Sequence, residues 1–123
     1  MTSARKLAVA FATVRGMYGV ALVAAPETIG TSWLGAGARR PAAQVALRGL
    51  GARDVALAAG TIEAAVRGGP LLPWLLGSLG SDLTDLAATL LAGGAVPERA
   101  RRGTIALAGG SAAAAAGLAI GDA

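Results

Sequence analysis

Five ionisable side chains interrupt long apolar stretches of this chain: Arg15, Arg53, Asp54, Asp82 and Asp85. A protonated carboxyl can act as a general acid, and an ionised carboxylate beside it can act as a general base. An arginine can hold a carboxylate in place or stabilise a negative oxygen. Asp54, Asp82 and Asp85 are therefore candidate acid–base residues, and Arg15 and Arg53 are candidate orienting or oxyanion-stabilising residues.

The rest of the composition excludes several kinds of chemistry. The chain has no cysteine and no histidine, so we expect no thiolate nucleophile, no metal site and no bound cofactor. The net charge is +4, but the basic residues are scattered and aromatic residues are few, which makes nucleic-acid binding an unfavoured function. Arg48 and Glu63 lie nearer the ends of their apolar segment and are weaker candidates for binding.

The balance of apolar and charged residues indicates a membrane protein. Of the 123 residues, 54% are hydrophobic and 15% are charged, whereas soluble domains usually have about 25% charged residues. A small soluble protein has much surface to cover with polar groups. The alternative is a soluble helical bundle whose charges face water, but it would leave too much leucine, valine and alanine uncovered.

Helix breakers divide the chain into four apolar segments. The breakers are Pro26, Pro41, the run Gly68-Gly69-Pro70, the pair Gly93-Gly94, and Pro97. The predicted helices cover 4–25, 41–67, 70–92 and 97–121, and each reaches the ~20 residues that a membrane span needs. The link 26–40 could hold a short interfacial turn anchored by Trp33. The prediction is an all-α, antiparallel four-helix transmembrane bundle that forms one domain, 1–123.

The first apolar segment also resembles a secretory signal peptide, because Arg5 and Lys6 precede it and Val23-Ala24-Ala25 ends it. Arg15 interrupts its apolar core, and Pro26 would directly follow the cleavage point. We therefore interpret this segment as a retained helix.

The five charged residues should share one layer of an antiparallel bundle, between its midplane and one outer third. Arg53 and Asp54 are neighbours in sequence and point about 100° apart on a helix, so we expect them not to face each other. Asp82 and Asp85 share a face but repel each other. An aspartate at the centre of a span costs about 2.5 to 3.5 kcal/mol. Each charged group therefore needs a partner on another helix, or a proton, and is a candidate functional residue.

Two motifs carry a resemblance to a known family. The stretch LRGLGARDVALAAG, followed about 20 residues later by SDLTDLA, resembles small four-helix bacterial membrane proteins of unknown function, many of them from high-GC bacteria. The matching positions are Arg48, Gly51, Arg53 and Asp54 in the second helix and Asp82 and Asp85 in the third. The resemblance implies a multi-pass protein of the bacterial inner membrane and supplies no activity.

Three functions remain open at this point. The first is a structural or accessory membrane subunit in which the charged layer fixes the packing. The second is an intramembrane acid–base enzyme, such as an epoxide hydrolase, isomerase or cyclase, acting on a lipophilic small molecule. The third is a proton-coupled carrier. The expected partners are the lipid bilayer and, according to the function, a lipophilic small molecule, further copies of the chain or a larger membrane complex. A pocket bordered by the layer would favour the enzyme, and a dry, fully paired layer would favour the structural role.

Overall fold

The chain folds into helices throughout the residues that the computed structural model describes, which are 1–96 and 98–122. The α-helices are α1 (Ser3–Ala24), α2 (Pro26–Leu34), α3 (Pro41–Arg67), α4 (Leu72–Ala92) and α5 (Glu98–Asp122). Short 3-10 helices, Gly35–Arg39 and Gly93–Ala95, follow α2 and α4. Within the described residues there is no strand, so the all-α prediction is confirmed.

The helix count differs from the prediction, with five α-helices among the described residues rather than four. The added element is α2, nine residues long, in the link that was expected to hold only a turn. Pro26 ends α1, but it also occupies the first turn of α2, where a missing backbone N–H costs nothing. Pro97, which was predicted to open the last helix, lies outside the described residues.

Local chemistry explains where α1 begins and where α3 begins and ends. The hydroxyl of Thr2 accepts a hydrogen bond of 3.2 Å from the backbone N–H of Arg5, which caps α1. Pro41 opens α3. Gly68 ends α3 in the left-handed conformation, at φ 72°, and the N–H of Gly69 then bonds to a carbonyl of the last turn.

Helices α1 and α3 are antiparallel and cross at a pair of glycines. A Cβ atom built on Gly19 would lie 2.6 Å from the carbonyl oxygen of Gly51, and one on Gly51 would lie 2.6 Å from that of Gly19. Near the chain start, the guanidinium of Arg5 donates to the carbonyl of Ala64 at 3.0 Å. The two backbones therefore approach as closely as small residues permit.

Helix α4 runs antiparallel to α3 and packs against α5. A Cβ atom on Gly77 would lie 3.1 Å from the side chain of Leu57, and Gly60 makes room for the ring of Trp74. These pairs show that the register runs in opposite directions along α3 and α4. The buried interior therefore belongs to α1, α3 and α4, with α5 closing one side.

The interior has a polar layer between two apolar clusters. One apolar cluster comprises Ala8, Ala64, Ala65, Leu71 and Leu75, and the other comprises Leu22, Ala38 and Leu47. On α1, buried Arg15 lies seven residues from Ala8 and seven from Leu22, or about 10 Å along the helix in each direction. This spacing places the charged layer near the middle of the bundle.

Among the described residues, two helices are long and apolar enough to cross a membrane, judged by length and composition. They are α1 and the Arg101–Gly121 part of α5. The other two long helices, α3 and α4, carry the buried aspartates.

Candidate functional site

Arg15 joins three helices through two ion pairs. From α1, its Nη1 lies 3.1 Å from Oδ1 of Asp54 on α3, and its Nη2 lies 2.6 Å from Oδ2 of Asp82 on α4. All three side chains are more than nine-tenths buried. Because a buried charge is costly without a partner, these bonds determine how the three helices can pack.

Arg53 extends the network to Asp85. Its Nη2 lies 3.0 Å from Oδ2 of Asp85, and its Nη1 donates to Oδ1 of the same carboxylate at 3.4 Å. This two-point arrangement is the one that arginine and carboxylate favour. The five charged residues predicted to share one layer are therefore brought together into a single connected network.

One detail of the predicted pairing is wrong. Arg53 and Asp54 were expected not to meet, yet Nη2 of Arg53 lies 3.3 Å from Oδ1 of Asp54. The rule for neighbouring helical positions describes where the Cβ atoms point. The arginine side chain is long enough to turn back along the helix surface on its way to Asp85, so its guanidinium passes Asp54.

The network contains three carboxyl groups but only two guanidinium groups. Oδ1 of Asp54 accepts from both arginines, and both oxygens of Asp85 accept from Arg53. Asp82 has one such bond, through Oδ2 to Arg15. Among the described residues, the Nε–H groups of Arg15 and Arg53 have no acceptor.

A cavity of about 760 Å³ borders this network. Its polar wall consists of Arg15, Asp54, Asp82 and Asp85, whereas Arg53 supports the wall from outside the lining. Volumes of roughly 300–1,000 Å³, mostly apolar with a few polar groups, are typical of small-molecule sites. The charged layer is therefore accessible to a molecule of that size.

Aromatic side chains also line the cavity, namely Phe11, Tyr18 and Trp33. The guanidinium carbon of Arg15 lies 5.4 Å from the centre of the Phe11 ring, which is within cation–π range. The sequence analysis did not select these residues as site residues. The spacing of Phe11, Arg15 and Tyr18 by four and three positions could have placed two of them beside the charge.

Trp33 lies in the link between the first two long helices, as its sequence position requires. The segment that was predicted to hold an interfacial turn forms the helix α2, and the indole N–H of Trp33 donates to the hydroxyl of Thr89 on α4 at 3.4 Å. Thr31 and Ser32 on α2 line the same part of the cavity, together with Arg99 on α5. These polar residues form a mouth at the α2 end of the bundle.

The two weaker binding candidates lie outside the site. Arg48 is exposed on α3 and does not line the cavity. Glu63 is also exposed, and its carboxylate lies 3.5 Å from Nη1 of Arg67 one turn along the helix. Neither residue therefore borders this cavity, and their binding roles stay predictions.

The arrangement can support proton transfer to a neutral organic molecule. Two carboxyl groups share one guanidinium at the wall of a mostly apolar cavity, and each retains one oxygen without a donor among the described residues. Within the same residues, no group of three or more carboxylates is placed to hold a metal ion.

Comparison with family models, curated proteins and solved structures gave no match to this chain.

Proposed function

We propose that this chain is a small multi-pass protein of the bacterial inner membrane that carries out acid–base chemistry on a lipophilic small molecule. The distribution of side chains supports the membrane location. Large apolar side chains that are more than half exposed occur on all four long helices: Leu7, Val14, Met17, Val45, Val66, Leu76, Leu91, Leu107 and Ile120. The charged side chains in the middle of these helices, Arg15, Asp54 and Asp82, are buried instead, which is the arrangement expected in lipid rather than in water. The resemblance of the two charged motifs to small bacterial membrane proteins agrees with this location.

The observation that carries the proposed chemistry is the position of Asp54, Arg15 and Asp82 in the wall of the 760 Å³ cavity. A cluster that served packing alone would have no need of an adjacent cavity of this size. Apolar and aromatic side chains line most of the rest of it, so a lipophilic molecule fits better than a highly polar one.

The number of charges in the network assigns different roles to the carboxyl groups of Asp54 and Asp82. Three carboxylates and two guanidiniums leave one negative charge uncompensated, and a buried site favours removing it by retaining one proton. Asp54 accepts from both arginines and remains ionised, so it acts as the base. Asp82 accepts from one arginine only and retains the proton, so it acts as the acid. Asp85, held at both oxygens by Arg53, keeps that arginine beside Asp54.

Epoxide opening illustrates the reaction class. The carboxyl of Asp82 gives its proton to the epoxide oxygen as one carbon–oxygen bond breaks, and the bonding electrons remain on that oxygen. Water adds to the released carbon while the carboxylate of Asp54 takes a proton from it. Proton return from Asp54 to Asp82 through cavity water then restores both groups, and the products balance as epoxide plus water giving a diol. Arg15 keeps the two carboxyl groups in place throughout.

Hydrolysis of cyclohexene oxide by the purified protein in lipid nanodiscs tests this proposal. The wild type should form cyclohexanediol above the rate of empty nanodiscs, and Asp82→Asn should reduce that excess at least a hundredfold. Glu63→Gln is the matched control, because it makes the same change from carboxylate to amide on an exposed residue outside the cavity. A wild-type protein that is folded and forms no excess diol would exclude epoxide opening.

A structural or accessory subunit is the second candidate function, and the connected ion-pair network favours it. Every charged side chain of the layer has at least one oppositely charged partner, so the layer could fix helix register without any chemistry. The two functions differ in the effect that they predict for Asp82→Asn. It should abolish turnover but spare folding in the enzyme, and it should weaken folding in a structural subunit.

A further inference from the structure

A second cavity of about 750 Å³ lies in a groove between α1 and α5. Its lining is almost entirely apolar or glycine: Ala4, Leu7, Ala10, Phe11, Val14, Ala114, Gly117, Leu118 and Gly121. The groove runs toward the end of the bundle that holds the start of α1 and the end of α5. It is thus directed away from the polar mouth at α2.

The groove adjoins the cavity that borders the charged network. Phe11 and Val14 line both of them. From Val14 to Ala4 the groove follows ten residues of α1, which is about 15 Å at the helical rise per residue. A single elongated molecule could therefore occupy the polar cavity with one end and the groove with the other.

We infer that the ligand is a single-chain amphiphile whose oxygen-bearing end lies against Asp54, Arg15 and Asp82 and whose hydrocarbon chain, about 15 Å long, lies in the groove between α1 and α5. This inference deepens the proposed function and rests on it for the chemistry at the polar end. The shared lining residues argue for one occupant across both spaces rather than for an unrelated lipid in the groove.

Chemical complementarity supports the direction in which this molecule lies. The groove has no charged lining residue among those described, whereas the cavity has donors and acceptors at its wall and Arg99 at its mouth. A polar end placed in the groove would lose its hydrogen bonds, and burying an unpaired polar group is costly. The polar end therefore belongs at the network and the chain in the groove.

Gly117 offers a way to block the groove without touching the charged network. It lines the groove, and a Cβ atom built on it would meet nothing within 4 Å, so a larger side chain should fit the fold and fill the groove. Gly80 on α4 is the matched control, because it is equally open but lines neither cavity. Gly117→Leu therefore places a leucine side chain in the groove, whereas Gly80→Leu places the same side chain outside both cavities.

Quenching of Trp33 fluorescence reports ligand binding in the cavity. The chain has two tryptophans, so a Trp74→Phe background leaves Trp33 as the sole reporter at the cavity wall. The probes are dodecanol brominated beside the hydroxyl-bearing carbon, dodecanol brominated at the far end of its chain, and butanol brominated beside the hydroxyl-bearing carbon. Bromine quenches tryptophan only at short range.

The expected result is saturable quenching by the dodecanol brominated near its hydroxyl and much weaker quenching by the one brominated at its far end. Gly117→Leu should weaken binding of the long probe at least tenfold and leave that of the butanol unchanged, and Gly80→Leu should change neither. Equal effects of Gly117→Leu on the long and short probes, no effect on either, or no saturable quenching at all would each overturn the inference. Binding as expected without turnover of cyclohexene oxide would instead overturn the proposed function alone.

Discussion

Replacement of Gly49 and of Gly51 on α3 by alanine should change the stability of the protein in opposite directions. A Cβ atom on Gly49 would meet nothing within 4 Å, whereas one on Gly51 would lie 2.6 Å from the backbone oxygen of Gly19. Both substitutions gain the same helix propensity, up to about 1 kcal/mol. They therefore differ in packing alone, and Gly49→Ala is the matched control for Gly51→Ala.

The size of the packing cost follows from how closely the added Cβ atom of Gly51→Ala would approach the carbonyl oxygen of Gly19. The 2.6 Å separation falls about 0.8 Å short of the 3.4 Å at which ordinary contact begins, and the obstacle is rigid backbone. Overpacking of this kind typically costs about 1–3 kcal/mol. Moving α1 away from α3 would also lengthen the bond between Arg15 and Asp54, now 3.1 Å. We expect Gly51→Ala to be less stable than Gly49→Ala by about 1–3 kcal/mol.

Unfolding of the detergent-solubilised protein by titration with sodium dodecyl sulfate measures this difference. Gly19→Ala is a second test, because its Cβ atom would meet the carbonyl of Gly51 at the same 2.6 Å. Stability of Gly51→Ala equal to that of Gly49→Ala would refute the close crossing of α1 and α3, and with it the geometry that brings Arg15 to Asp54.

Two further predictions concern buried contacts. Arg15→Met should lower the free energy of unfolding by about 3–5 kcal/mol, because it leaves carboxylates buried without their guanidinium. Arg67→Met, at an exposed position, should change it little. Equal losses for the two variants in the same titration would contradict the buried ion pairs of Arg15. Gly60→Ala should destabilise the wild type by about 1 kcal/mol but not a Trp74→Ala protein, because the added Cβ atom meets the Trp74 ring. A double-mutant cycle without coupling would show that the ring does not pack on Gly60.

The helices and the charged layer could be predicted because both depend on local signals. Proline and glycine mark helix ends through backbone geometry, and counting residues from those ends gives the depth of each charge. Arg15, Asp54 and Asp82 were thus correctly placed at one level. The α2 helix was missed because Pro26 was interpreted only as the end of α1, although proline also favours the start of a helix.

The cavity could not be predicted, since it depends on how far α5 stands from α1. Small residues recur every four positions along α5, at Gly109, Ala113, Gly117 and Gly121, yet a Cβ atom on Gly109 or Gly117 would meet nothing within 4 Å. The close approach occurs at Gly19 and Gly51 instead. Small residues permit close approach but do not impose it, because the neighbouring side chains decide where the helices meet.

Replacement of Asp82 by asparagine tests the central claim most directly, with stability and turnover measured on the same samples. If Asp82 retains a proton, asparagine is nearly equivalent in shape and charge, so the free energy of unfolding should change by less than about 1 kcal/mol while hydrolysis of cyclohexene oxide is lost. Asp54→Asn should cost about 3–5 kcal/mol in the same titration, because Asp54 is the ionised partner of two arginines. A loss of that size for Asp82→Asn, with the excess diol formation undiminished, would contradict the acid–base role and leave the network as a structural element.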